Sequence, residues 1–362
     1  MSFQKRTGQL AIPGTKPSMH NGQLLSSTGN PSMDFILGGG QQLGTILLIE
    51  EDKYRCYAPT LLKYYLAEGV MQNHALFNGG LDENPEEIIS KLPAPVTDQS
   101  SASREPTNPD PESDDMRIAW RYNSLPKVDS VEESKGTFDH FFDLSKTLDK
   151  SIIEKIEITN WDGINSESCS NNTNLVKNRY MNDCLKTLYK TAQQYKSDKS
   201  AKLLRIVINS FGSPYWYSDT FNTDLIKFLY TLKSIVRCTT SICMISIPTH
   251  LLKYVDPDLV TRIRSCVDYA VELESFAGSD KETNPIFKDY HGLLYVRRIR
   301  AVNSPAAYQP KIKDLAFKLR RKKFVIEKLH LPPELQDSDQ REQDEIVPGS
   351  SCSSKGKKLL EF

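Results

Sequence analysis

The densest chemistry in the chain is the triplet Glu50, Glu51 and Asp52, which ends an apolar run from Thr45 to Ile49 led in by Gly38, Gly39 and Gly40. An apolar stretch of this length reads as a fully buried strand, and Pro59 to Glu68 reads as the helix that follows it. Glycines, strand, loop and helix in this order are the scaffold of a phosphate-binding loop. Such a loop wraps backbone N–H groups around phosphate oxygens and adds a lysine from a closing Gly-Lys-Ser/Thr. Residues Glu50 to Tyr57 contain no glycine and no such closing triplet. Three carboxylates repel a triphosphate, and Lys53 is misplaced for the motif. The scaffold of a nucleotide site is therefore expected without its cradle.

Two further groups could bind a polyanion. Lys311 to Lys328 carries eight Lys and Arg residues against Asp314 and Glu327. Its apolar flanks predict two strands around a basic crest, Arg320, Arg321, Lys322 and Lys323. Such a crest can hold RNA phosphates; its other reading is a solvated turn or subunit contact. Loops at the carboxyl ends of parallel strands are where such sheets bind ligands. Here they are Ser210–Ser218, with Tyr215, Trp216 and Tyr217 expected to be exposed, and Pro248–Tyr254, with His250 and Lys253. Aromatics beside cations suit RNA bases and phosphates; Trp216 has a second reading as a core or interface anchor. None of the six histidines sits at motif spacing from a Ser or Cys. The seven cysteines are scattered, with no Cys-x-x-Cys pair, so no zinc site is expected.

The elements that must position these groups alternate. Strands are predicted at Thr45–Ile49, His74–Phe77, Ile152–Ile158, Leu203–Ile208, Ser241–Ile247 and Val267–Leu273, with helices at Asn84–Ile89, Leu175–Tyr195 and Thr223–Arg237. Strand and helix in alternation predict a mostly parallel sheet with crossover helices. Three stretches stand outside it: a flexible lead over residues 1–21, a Pro- and acid-rich disordered insertion at about 93–115, and a disordered tail over 336–362. The domain proper is expected over 22–335. Formal net charge is zero, so any attraction to nucleic acid is local. No apolar run approaches the roughly 18 residues of a membrane span, and Met1–Lys16 lacks a signal-peptide core.

The layout resembles the RecA/KaiC-like ATPase family, through Gly38–Thr45, Leu81-Asp-Glu-Asn-Pro85 and the strand ending at Asn209. Within it the chain is similar to the family of the fourth subunit of the Elongator complex. The matching segments are Gly22-Gln-Leu-Leu-Ser-Ser-Thr-Gly29, Leu48-Ile-Glu-Glu-Asp52, Leu61-Leu-Lys-Tyr-Tyr-Leu-Ala-Glu-Gly69, Ile118-Ala-Trp-Arg-Tyr122, Ser210-Phe-Gly-Ser-Pro-Tyr-Trp216, Asp289-Tyr-His-Gly292 and Phe317 through Pro333.

The resemblance implies an α/β, RecA-like three-layer domain with a degenerate phosphate loop. It also implies a non-catalytic subunit of a heterohexameric ring built with sister subunits 5 and 6. That ring binds and presents tRNA for wobble-uridine (U34) modification by the catalytic Elongator subcomplex, in cytoplasm and nucleus. Asn209 stands where the family places a metal-positioning Asp, which matches a lost catalytic site. Asp82 and Glu83 stand where RecA-like ATPases place the glutamate that activates water, so they could serve ATP held at a ring interface; equally, they are acids that a helix dipole favours. Two other readings stay open: an active ATPase with a non-standard loop, and a purely architectural subunit. The acids Glu50, Glu51 and Asp52 are expected at a subunit boundary.

Overall fold

In the computed structural model, which describes residues 12–18, 21–96, 138, 140–164, 175–196, 202–304, 306–310 and 312–330, the apolar runs pair into a nine-stranded sheet. Its strands are β1 (Ile46–Glu50), β2 (Ala75–Gly80), β3 (Ile158–Trp161), β4 (Leu204–Asn209), β5 (Ser241–Ile247), β6 (Tyr269–Ser275), β7 (Gly292–Ile299), β8 (Leu315–Leu319) and β9 (Phe324–Lys328). Their order is β9-β8-β7-β6-β1-β5-β4-β2-β3. From β6 to β3 all pairs are parallel, and β7, β8 and β9 extend the other side as antiparallel pairs.

Strands buried on both faces need apolar residues in succession rather than in alternation. β1 shows why. Ile46 and Leu48 join one core cluster, while Leu47 and Ile49 join the other. Helices α3 (Arg179–Gln193), α4 (Phe221–Arg237) and α6 (Pro257–Cys266) cover the first face, and α1 (Ala58–Met71) with the helix Pro31–Ile36 covers the second. Two short helices, α2 (Pro85–Ser90) and α5 (Thr249–Val255), begin just beyond the carboxyl ends of β2 and β5. The three-layer, mostly parallel architecture with crossover helices expected from the sequence is the one the chain adopts.

Three expectations are corrected. Ile152–Ile158 is not one strand: Lys150–Ile153 is helical and β3 starts at Ile158. Ile152, Ile153 and Ile156 pack against the same cluster, a spacing that a helical turn satisfies and a strand does not. The insertion expected from residue 93 starts later, because Pro93–Pro95 pairs antiparallel with Phe142–Thr147. Prolines are tolerated there because the pair forms a two-stranded ribbon with open edges. The N-terminal lead contains a strand, Thr15–Pro17, paired with Leu24–Ser26, which in turn pairs with Gln41–Gln42. Residues 97–115, Met116–Tyr122 and 336–362 lie outside the described residues.

A buried cation ties these parts together. Arg205 on β4 is fully buried and points to the face covered by α1. Its Nε donates to His74 Nδ1 at 2.9 Å, Nη2 to Ser26 Oγ at 2.8 Å and Nη1 to the Tyr65 carbonyl at 3.3 Å. Gly69 makes room for it: a Cβ there would lie 2.8 Å from Arg205 Cδ and 2.6 Å from Leu76 Cδ2. His74 accepts at Nδ1 and so donates from Nε2 to the Pro13 carbonyl, 2.8 Å away. Burial, then the neighbouring guanidinium, pushes its pKa down to about 3.

The sign follows. A base with a depressed folded pKa contributes stability that is present above pH 6.5 and is lost as pH falls toward the folded value. Between pH 6.5 and 5.5 the loss is about 1 kcal/mol. Asp34, raised to about 6 chiefly by burial, acts in the opposite sense below pH 6. Urea unfolding of the native chain and of His74→Gln, whose amide can replace both hydrogen bonds, isolates the histidine. The variant should lack this part of the pH dependence.

Candidate functional site

The carboxyl end of β1 is the centre of the candidate site. All three acids that close β1 are buried, Glu50 at 0%, Glu51 at 4% and Asp52 at 1% exposure. Each has its own partner inside the chain. Glu50 accepts from Arg264 Nε at 2.6 Å and Nη2 at 2.7 Å, a bidentate pair, and from Thr249 Oγ1 at 3.2 Å. That pairing is the main reason the Arg264 pKa rises. Glu51 accepts from Ser210 Oγ at 2.8 Å and lies 3.9 Å from Arg55 Nε. Burial raises its pKa, and the hydroxyls of Ser246 and Ser210 and the Arg55 cation oppose the rise. Asp52 accepts from the backbone N–H of Cys56 at 3.0 Å and of Tyr57 at 3.1 Å, at the mouth of α1.

The last contact decides the chemistry. The N-terminus of a helix after a parallel strand is an anion site, with free N–H groups and the positive end of the dipole. Asp52 places its carboxylate on the two amides that lead into α1. The expectation of a boundary role for the triplet is corrected: the acids are consumed in internal pairs, because a buried carboxylate is tolerable only when hydrogen-bonded or paired. Lys53 is exposed and stands 5.4 Å over the Tyr54 ring.

The neighbouring strand ends agree. Asn209 is buried, lies in register with Gly80, and its Oδ1 accepts from Ser246 Oγ at 3.4 Å. It is a packed link between β4 and β5. Asp82 is half-buried, and burial raises its pKa, opposed by the Ser213 hydroxyl and the Arg55 cation. Exposed Glu83 pairs with Arg55 Nη2 at 3.3 Å. Arg55 has a left-handed φ of 54°, which turns its side chain back over the end of the sheet toward Glu51 and Glu83.

The candidate RNA residues divide. Trp216 is fully buried, its ring 5.5 Å from Trp161 and 4.8 Å from Phe211, and its carbonyl accepts from Asn178 Nδ2 at 2.7 Å. A stacking role on RNA is therefore corrected to a core role: the turn Pro214–Trp216 folds the indole under the sheet rim and turns Tyr215 and Tyr217 outward. Pro248–Tyr254 is not a loop but mostly α5, which leaves Tyr254 89% exposed beside Lys253. Lys253 pairs with Glu272 at 3.5 Å, and Glu272 also meets Arg264 and Arg297. His250 is half-buried, which lowers its pKa. Arg320, Arg321, Lys322 and Lys323 form the exposed turn between β8 and β9, closed by Arg320 N to Lys323 O at 2.8 Å. Strand directions put that turn on the same rim as the ends of β1 and β5, four strands away.

Sequence reasoning missed Arg264, one of two arginines in a helix opened by Asp256 and Pro257. Tyr215 and Tyr217 are exposed as expected, whereas the exposed Tyr254 was missed. Replacing Asp52 by Ala should lower stability by about 1–2 kcal/mol, the worth of a helix-opening carboxylate, as read from the urea midpoint.

Comparison with known proteins matches residues 8–362 to the PAXNEB protein family. The chain is 42% identical over 361 residues to Elongator complex protein 4 of Xenopus laevis, covering 94% of this chain and 88% of that one. It is 39% identical over 385 residues to Elongator complex protein 4 of Homo sapiens, covering 98% and 89%. Among solved structures, a KaiC-like protein of Pyrococcus horikoshii aligns with a TM-score of 0.48 at 14% identity, covering 84% of this chain and 99% of that one. This chain belongs to the PAXNEB family, together with the proteins named Elongator complex protein 4.

Proposed function

We propose that this chain is a non-catalytic subunit of the Elongator complex, one member of a heterohexameric RecA-like ring with sister subunits 5 and 6. The ring binds and presents tRNA so that the catalytic Elongator subcomplex can modify the wobble uridine, U34, in cytoplasm and nucleus. One observation carries the non-catalytic part. At the mouth of α1 the Asp52 carboxylate takes up the Cys56 and Tyr57 amides, with Glu50 and Glu51 locked to Arg264 and Ser210 beside it. A triphosphate there would have to displace a hydrogen-bonded carboxylate and sit against two more.

The RNA part rests on the rim. Tyr254, next to Lys253 in α5, and Tyr215 and Tyr217 after β4 are exposed at the carboxyl ends of the strands, and an exposed ring beside a cation can stack a base while the cation holds a phosphate. Each such stack contributes about 1–3 kcal/mol.

Two measurements test the reading. Calorimetric titration of the isolated chain with Mg-ATP should show no binding; saturable micromolar binding would establish an active nucleotide site instead. In the assembled ring, Tyr254→Ala should weaken tRNA affinity by about tenfold, and Lys253→Gln should flatten its salt dependence. Affinity and salt slope both unchanged would reduce the chain to a purely architectural subunit.

ATP held at ring interfaces belongs to the same proposal, with Asp82 and Glu83 as the residues that orient water from this side. The double substitution Asp82→Ala with Glu83→Ala should then lower ATP turnover by the assembled ring. Unchanged turnover would leave both acids as helix-end charges.

A further inference from the structure

The basic turn between β8 and β9 does not stand alone. Beside it runs a groove of about 410 Å³, lined by Arg320 and Arg321, by Lys63 of α1, by Lys91 at the end of α2, and by apolar Pro93, Leu144 and Leu319. The floor is rigid. The Leu144 N–H donates to the Lys322 carbonyl at 2.8 Å, which fastens the basic turn to the strand Phe142–Thr147. Among the described residues, Lys91 pairs with Glu87, and no ion pair is formed by Lys63, Arg320 or Arg321. Two acids nearby feel the field. Glu87 is held low by Lys91, with Lys63 adding, and Asp143 is held low first by the Ser145 hydroxyl and amide, with Lys322 and Lys146 adding.

Four cations brought together from three separate pieces of backbone, three of them without an ion pair among the described residues, give a local positive field that a polyanion relieves. A peptide would need pockets for buried anchor side chains, and this groove offers only three apolar residues and no deep cavity. A sugar-phosphate backbone needs no such pocket. The groove also lies on the rim that carries Lys253 and Tyr254. Four strand spacings of ~4.8 Å separate β8 from β5, about 19 Å along the rim. At ~3.4 Å per phosphate that is the reach of roughly half a dozen nucleotides.

We propose that Lys63, Lys91, Arg320 and Arg321 form an RNA-phosphate site, distinct from the β5 end of the rim, that holds the backbone of the RNA whose bases reach Tyr254. It rests on the RNA reading above and adds Lys63 and Lys91 as contacts.

The test uses the full-length chain in the assembled ring, an unmodified tRNA transcript, and anisotropy titrations across a series of salt concentrations. Two variant pairs are compared: Lys63→Gln with Lys91→Gln, and Arg320→Gln with Arg321→Gln. Each pair should weaken binding several-fold at low salt and flatten the slope of log affinity against log salt by about 1–2, the worth of one or two phosphate contacts. Should one pair fail to assemble, the other alone decides the matter. Unchanged slopes overturn the site, as does poly-glutamate displacing nothing but itself from a groove that tRNA ignores. If Lys253→Gln and Tyr254→Ala weaken binding while both groove pairs are silent, the groove fails and the rim reading stands. If all are silent, both fall.

Discussion

The Asp52 carboxylate on the Cys56 and Tyr57 amides is the contact on which the centre of the molecule turns. β1 lies between β6 and β5 in the middle of the parallel sheet, and α1 must leave its end and lie back on one face. A chain leaving a central strand carries unpaired amides into a crowded place, and those amides demand an anion. A nucleotide-binding domain leaves that demand open and satisfies it with a phosphate on each cycle. Here the demand is met within the chain. The connection is thus fixed whether or not any ligand is present, and the fold around it is set without a nucleotide.

That closure propagates sideways. Glu50 is locked to Arg264, and Arg264 also reaches Glu272, which meets Lys253 and Arg297. The end of β1 is thereby bonded to α6, β6, β7 and α5 in one ionic chain. A buried pair of this kind adds little to stability in itself, yet cutting one partner costs roughly 3–5 kcal/mol, since the other charge is stranded. The Arg205 group works similarly, where a buried guanidinium holds His74, Ser26 and the middle of α1 in a single arrangement.

The sheet was legible because its signal is one-dimensional. Runs such as Ile206–Ile208 and Ile242–Ile245 are apolar on both faces, and a central parallel strand needs that. Placement of individual side chains was not legible. Trp216 and Tyr215 are adjacent in sequence, yet one is buried against Trp161 and the other faces solvent. The sense of a single turn, Pro214–Trp216, decides which. Ile152–Ile158 misled for the opposite reason: alternation of charge and isoleucine suits a strand, but the packing partner selected the helical spacing of Ile152, Ile153 and Ile156.

Charge shows how local placement overrides composition. Lys and Arg equal Asp and Glu at 46 each, so the chain as a whole neither attracts nor repels RNA. The acids closest to the centre of the rim, however, are turned inward and neutralised. Glu50 and Glu51 are buried, and Glu272 is surrounded by three cations. The cations of the basic turn are exposed and form no ion pair among the described residues. Field strength at a surface follows the uncompensated charges within about a Debye length, roughly 8–10 Å at physiological salt. Filling a nucleotide cradle with carboxylates and presenting a basic rim are therefore compatible, because each internal pair removes an acid from the surface that RNA would meet.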